Sequence, residues 1–218
     1  MSRKVFYNLF LMACLGILLV AGNIFAATTI PAVAWSRDIN GGGYIDGAPV
    51  GGFGAGTVTW QFDGNFYKGR LLIGDNTHSV DSNCGFYMYQ QPSGQSVTYK
   101  KLNASTLGSS QAKYYSLFPK SWVDYSGSVF TCKAKVTQFS PIIPGDYQRT
   151  SYPVGIYKWE INNPTASACD VSVLFTWNNN FGGGAAEVMT GTDNIGLRLK
   201  PTSTANASLE TEGEFTLG

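Results

Sequence analysis

The stretch that decides the fold is Phe130-Thr-Cys-Lys-Ala-Lys-Val136. Phe130, Cys132, Ala134 and Val136 fall on one side, and Thr131, Lys133 and Lys135 on the other. A period of two with one apolar face is the signature of a half-buried antiparallel strand. The same alternation recurs toward the carboxyl end. Val171-Ser-Val-Leu-Phe-Thr-Trp177 aligns Val171, Val173, Phe175 and Trp177, and Ile195-Gly-Leu-Arg-Leu-Lys200 repeats the pattern. Between them, Tyr157-Lys-Trp-Glu-Ile161 sets two aromatics and Ile161 against Lys158 and Glu160. Toward the amino end, Thr57-Val-Thr-Trp-Gln-Phe62 is rich in β-branched and aromatic residues, which fit a pleated surface. Shorter candidates are Arg70–Ile73, Phe86–Gln90, Tyr114–Phe118 and Leu209–Leu217.

Turn chemistry punctuates these runs. Asp63-Gly64-Asn65, Gly74-Asp75-Asn76, Pro92-Ser93-Gly94, Pro144-Gly145-Asp146, Asn162-Asn163-Pro164 and Asn178–Gly184 supply the residues that turns require. Many short strands without intervening helices predict an all-β fold, a large antiparallel β-sandwich of two packed sheets. Residues 28–218 read as one unit. The terminal Thr211-Glu-Gly-Glu-Phe-Thr-Leu-Gly218 reads as a strand in progress, so the sandwich is expected to be incomplete at its carboxyl end.

The amino terminus reads differently. Arg3 and Lys4 precede an almost wholly apolar run from Val5 to Ala21, and small residues follow at Ala26-Ala27. This is the layout of a cleaved signal peptide over residues 1–27, which implies secretion or periplasmic delivery. The run is long enough for a retained anchor, but Asn8 interrupts its start and Gly22-Asn23 its end. Leu11-Met12-Ala13-Cys14 resembles a weak lipidation site, yet the apolar run continues past Cys14.

Composition fits an extracytoplasmic β protein. Charged residues make up only 13% of the 218, about half the usual ~25%. A formal net charge of +1 offers no electrostatic footprint for nucleic acid. Three cysteines remain beyond the signal, Cys84, Cys132 and Cys169, so at most one disulfide can form.

No motif carries catalytic chemistry or holds a cofactor. Gly51-Gly-Phe-Gly-Ala-Gly56-Thr57 has the outer spacing of a phosphate loop but lacks the lysine that reaches the phosphates. A strand rather than a helix follows it, so no helix dipole faces an anion. The cluster reads better as a tight turn whose backbone only glycine tolerates. Asp38-Ile-Asn-Gly-Gly-Gly-Tyr-Ile-Asp46 hints at a calcium loop, but Pro49 stands where an EF-hand needs a bidentate Glu. His78, the single histidine, sits in a turn-like stretch with no nucleophile elbow, which argues against a triad and against zinc. Sugar hydrolysis needs a pair of carboxyls. Glu160, Glu210, Glu212 and Glu214 read as solvated strand faces instead. Trp60, Trp122, Trp159 and Trp177 read mostly as core.

Several ordered segments nevertheless resemble one family. Gly47-Ala-Pro-Val-Gly-Gly-Phe-Gly-Ala-Gly-Thr57 is similar to the glycine-rich entry motif of the amino-terminal domain of glycoside hydrolase family 116, the family of non-lysosomal glucosylceramidase and bacterial β-glucosidases. Phe118-Pro-Lys-Ser-Trp122 resembles its Tyr-Pro-Arg-Ala-Trp segment. Gln138-Phe-Ser-Pro-Ile-Ile-Pro-Gly-Asp-Tyr-Gln148 matches most specifically, followed in order by Pro153–Ile161, Phe175–Asn179 and Gly182-Gly-Gly184.

The resemblance implies a β-sandwich followed by a catalytic (α/α)6 barrel of the same polypeptide, retaining chemistry on β-glucosides, a Glu nucleophile and an Asp acid/base. Both catalytic groups belong to the helical domain, so neither carries over to a residue here, and this chain alone is expected to be inactive. Substrate would be met only through that partner domain. Gly51, Gly52, Phe53, Gly54, Ala55 and Gly56 are the expected domain interface. Two alternatives stay open. One is a free-standing carbohydrate-binding or adhesion sandwich with exposed coplanar aromatics. The other is an all-β glycosidase with two facing carboxylates.

Overall fold

The computed structural model describes residues 34–42, 47–70, 78–79, 82–178, 186–199 and 215–217. The expected signal peptide lies outside the described residues, as do Gly43–Asp46 of the calcium-like loop, Leu71–Ile73, the Gly74-Asp75-Asn76 turn, Asn179–Gly184, and Glu210, Glu212 and Glu214.

Fifteen strands are described, with two single-turn helices. In chain order they are β1 (Trp35–Asp38), β2 (Ala48–Gly51), β3 (Thr57–Trp60), β4 (Phe66–Arg70), β5 (His78–Ser79), β6 (Gly85–Pro92) and β7 (Thr98–Lys101). Helix α1 (Ala104–Leu107) precedes β8 (Lys113–Leu117), β9 (Lys120–Tyr125) and β10 (Lys133–Phe139). Helix α2 (Tyr147–Thr150) precedes β11 (Ile156–Asn162), β12 (Cys169–Thr176), β13 (Ala186–Thr190), β14 (Ile195–Leu199) and β15 (Phe215–Leu217). All pairings are antiparallel. They give a five-stranded sheet β1-β8-β9-β10-β11, a four-stranded sheet β2-β3-β4-β5, and two three-stranded sheets, β12-β6-β7 and β13-β14-β15.

The predicted all-β sandwich is present. Its core is one cluster contributed by three of the sheets. Tyr114, Val123, Tyr125, Ala134 and Val136 come from the five-stranded sheet, Val58, Trp60 and Phe66 from the four-stranded, and Phe86 and Met88 from the three-stranded sheet of β6. The centre is aromatic. The Phe86 ring lies 4.7 Å from Phe175, 5.1 Å from Tyr157, 5.3 Å from Trp159, 5.6 Å from Trp60 and 5.7 Å from Phe66, most of them tilted or edge-on. Tilted and edge-on geometry sets ring edges against ring faces, where the quadrupoles attract. Burial pushes the Tyr125 and Tyr157 phenols well above their ordinary range, so both remain neutral packing groups.

Alternation in β10 and β12 holds as expected. Phe130, Cys132, Ala134 and Val136 are buried, and Val171, Val173, Phe175 and Trp177 pack against the cluster. β10 starts at Lys133 and runs to Phe139, and its inward face includes fully buried Gln138. Gln138 Nε2 donates to Ser121 Oγ at 2.6 Å and to the Ala48 carbonyl at 3.1 Å, stitching β2 to the five-stranded sheet. Tyr114 adds a second stitch, its hydroxyl accepting from the Ala48 N–H at 3.0 Å.

Other expectations need correction. Of the strand expected at Arg70–Ile73 only Arg70 is described, as the last described residue of β4. His78 belongs to β5, in register with Gly69, and not to a turn. Phe118 is outside β8, in the turn to β9 whose Phe118–Pro119 peptide is cis. Trp122 points outward from β9 while Ser121 points inward, and Ile161 and Ile195 are exposed. Helices do intervene, each a single turn with an acceptor at its start: Asn103 Oδ1 accepts from Thr106 N–H, and Asp146 Oδ1 from Arg149 N–H.

Candidate functional site: the glycine hairpin and its apolar rim

Gly51–Gly56 form the turn between β2 and β3, and two positions need glycine for conformation. Gly51 has φ +148° and Gly54 φ +73°, values that side chains with a Cβ rarely adopt. Gly52 is needed for space. A Cβ there would overlap the Ser151 carbonyl and sit 2.6 Å from the Tyr152 carbonyl oxygen. The expected tight, closely packed turn is therefore present, but its close approach is at Gly51 and Gly52. At Gly54 a Cβ would meet open space.

The hairpin rests on the segment 140–155. Gly51 N–H donates to Ser140 Oγ at 2.6 Å, and Ser140 Oγ donates on to the Val154 carbonyl at 2.7 Å. Phe53 N–H donates to the Thr150 carbonyl at 3.1 Å. Thr150 in turn is buried, and its Oγ1 accepts from Ile143 N–H at 3.0 Å. This framework holds α2 and its flanks rigidly beside the hairpin. What it presents outward is apolar: Phe53 is 58% exposed, Tyr147 82% and Tyr152 50%, with Val154 and Ile143 exposed beside them. Backbone bonding fixes these side chains at the surface, where they are solvated at a hydrophobic cost. Of these residues only Phe53 was expected at the site. Tyr147 sits directly after the Pro144-Gly145-Asp146 turn and cap, the one signal that would have placed it at a helix start.

Several of the described carboxylates occupy structural posts. Asp38 accepts from the N–H groups of Asn40 and Ser110, Asp63 from Asn65, and Asp146 from Arg149. Glu160 pairs with Lys158 at 2.9 Å and Lys135 at 3.8 Å on the outside of the five-stranded sheet. The Lys158 hydrogen bond, then the two ammonium charges, hold its carboxyl below the ordinary range. A general acid needs the opposite shift. Among the described residues no cluster of three His, Cys, Asp or Glu side chains is placed to hold a metal ion.

A cavity of about 430 Å³ lies between Gln61, Asn65, Phe66, Lys101, Asn103 and Ser105. Its amides mostly serve the fold. Asn103 Nδ2 donates to Asn65 Oδ1 at 2.9 Å, and Asn65 Nδ2 to Asp63 Oδ2 at 2.9 Å.

Two nearly parallel, stacked ring pairs lie on outward faces. Tyr115 and Trp122 stack at 5.2 Å and 7°, and Tyr87 and Tyr99 at 5.6 Å and 10°. Tyr115 and Trp122 are direct cross-strand partners. Lys113 lies over Tyr115, and Lys120 and Lys135 lie over Trp122, so ammonium groups compete for these ring faces.

Against known families, the chain matches a model described as beta-glucosidase 2, glycosyl-hydrolase family 116 N-term, over residues 47–214. The match begins at the hairpin's first strand and takes in the whole rim.

Proposed function

The chain belongs to the amino-terminal domain family of glycosyl-hydrolase family 116, and we propose from that premise that it is the non-catalytic sandwich of a secreted retaining β-glucosidase or glucosylceramidase-like enzyme. Its work is to dock against and support a helical catalytic domain of the same polypeptide. Residues 1–27 direct export and are cleaved, and residues 28–218 make up the sandwich.

The observation that carries this reading is the hairpin rim. Phe53, Tyr147 and Tyr152 are large, outward and apolar, yet each is mounted on backbone locked by hydrogen bonds and glycine contacts. Exposed aromatic side chains on a hydrogen-bonded backbone suit a preformed interface, because little backbone entropy remains to be lost on docking. The carboxylates support the same reading from the other side. Asp38, Asp63 and Asp146 cap turns, Glu160 pairs with lysines and Glu187 with Arg198, and on this reading the acid and nucleophile belong to the partner domain.

The test is turnover. The chain alone, offered an aryl β-glucoside, gives no hydrolysis above background. Turnover that disappears when one Asp or Glu of this chain is changed to its amide would overturn the proposal. A second reading, a carbohydrate-binding sandwich, rests on the outward, stacked Tyr115–Trp122 pair. It requires that a soluble β-glucan bind the chain and that Trp122→Ala abolish the binding.

A further inference from the structure

Cys132 and Cys169 approach each other from opposite layers of the sandwich. Cys132 lies one residue before β10, fully buried, on the inward side shared by Ala134 and Val136. Cys169 opens β12 and alternates with Val171, Val173 and Phe175, whose side chains pack on the core. One buried side chain fixes the approach. Cys132 N–H donates to Gln90 Oε1 at 2.9 Å, and Gln90 Nε2 donates to the Cys132 carbonyl at 2.8 Å. Gln90 is itself in register with Val171, two residues from Cys169. The amide thus holds the Cys132 backbone against the β6–β12 pair, on the core side to which Cys169 also alternates.

Cys84 is excluded from this pairing by distance. Cys169 is in register with Pro92, whereas Thr176 is in register with Gly85, next to Cys84. Seven residues along a strand is roughly 24 Å, far beyond the roughly 4.4–6.8 Å between α-carbons that a disulfide spans. The Cys84 sulfur instead accepts from Asn178 N–H at 3.1 Å.

We propose that Cys132 and Cys169 are a disulfide-forming pair, an inter-layer staple closed by a small-molecule or protein disulfide acting as oxidant, with Cys84 left as a thiol. The exchange balances in two steps. Cys169 Sγ, having lost its proton to solvent, attacks one sulfur of the external disulfide and expels the other as a thiolate. Cys132 then gives up its proton and attacks Cys169 Sγ, expelling the second external sulfur. Two protein thiols are oxidised by two electrons, and one external disulfide is reduced to two thiols.

Accessibility sets that order. Cys169 is partly exposed and Cys132 is not. Desolvation pushes the Cys132 thiol up to about 11, with the neighbouring Cys169 adding to the rise and Lys133 opposing it. A buried, protonated thiol reacts slowly with an external disulfide. Next to a mixed disulfide on Cys169 it needs no access to solvent to complete the bond.

The full chain is purified, divided, and treated with oxidised glutathione or with dithiothreitol. Each sample is then denatured with an alkylating agent and peptide-mapped. The oxidised sample yields a peptide joining Cys132 to Cys169, with Cys84 alkylated. Its thermal midpoint is higher than that of the reduced sample by roughly 5–15 °C. C84S keeps that difference, and C169S loses it. Under native reducing conditions, limited alkylation labels Cys169 before Cys132. Three alkylated cysteines in the oxidised sample, a bridge through Cys84, or glutathione retained on Cys169 with Cys132 alkylated would each overturn the proposal. The map of the unaltered protein decides the matter even if C169S fails to fold.

Discussion

Replacing Phe86 with alanine removes the ring at the centre of the aromatic cluster. Five other rings lie within 4.7–5.7 Å of it, and its side chain is almost wholly buried. Four of the neighbours, Tyr157, Trp159, Trp60 and Phe66, belong to other sheets than its own, so the layers cannot collapse onto the vacancy without shifting a strand. Phe→Ala at such a site costs about 3–5 kcal/mol through lost transfer energy and a residual cavity. The upper half of that range applies here, because edge-to-face contacts add roughly 0.5–1.5 kcal/mol per pair and are not additive. For a domain of this size, with a urea m-value of about 2 kcal/mol/M, the unfolding midpoint falls by roughly 2 M. Urea titration followed by tryptophan fluorescence reads the shift directly, since Trp60 and Trp159 contact the lost ring. Tyr99→Ala, at an exposed edge position where only the stack on Tyr87 is lost, serves as the control and shifts stability by no more than about 1 kcal/mol. A Phe86→Ala loss under about 1 kcal/mol would show that these rings do not form the core.

Other substitutions probe the remaining parts of the account. Gly52→Ala destabilises by about 1–3 kcal/mol, because its Cβ meets backbone atoms of Ser151 and Tyr152; equilibrium unfolding checks it. Gly54→Ala costs roughly 1–2 kcal/mol from positive φ alone, with no packing contribution, so Gly54→Asn recovers most of the loss. Gln90→Leu keeps the volume but strips both backbone groups of Cys132 of their partners, for a loss of about 2–5 kcal/mol in urea. The Glu160 carboxyl is held below its ordinary range, so its ion pairing stabilises the fold above that range and fades as pH falls through the lowered value. Glu160→Gln therefore narrows the gap in thermal midpoint between neutral and acid pH, and added salt shrinks the effect.

Sequence alternation located those strands whose two faces see different environments. Over residues 130–136 and in β12 the inward residues are apolar and, Leu174 apart, the outward ones polar, so the period of two is visible. β9 escaped because its faces are inverted. Ser121 is inward, where Gln138 donates to it, while Trp122 is outward beneath two lysines. β2 was hidden by Pro49 and Gly51, which are tolerated because β2 is the edge of its sheet. β13 is exposed along its whole length and carries no pattern to read. Helices α1 and α2 are one turn each, too short for a 3.6-residue period, and only Asn103 and Asp146 mark their starts. At the candidate site the glycines were legible because positive φ and close approach demand that residue type. The rim was not. Ile143, Tyr147, Tyr152 and Val154 are brought beside Phe53 by long-range hydrogen bonds that leave no local signature in the chain.

The central claim is that the hairpin rim is covered by a catalytic domain of the same polypeptide. Hydroxyl-radical footprinting tests it most directly, by comparing this chain alone with the polypeptide that joins the sandwich to its helical domain. Phe53, Tyr147 and Tyr152 are oxidised readily in the chain alone and are protected in the joined polypeptide, while Tyr99 is oxidised equally in both. Equal oxidation of Phe53 and Tyr147 in the two samples would contradict the account.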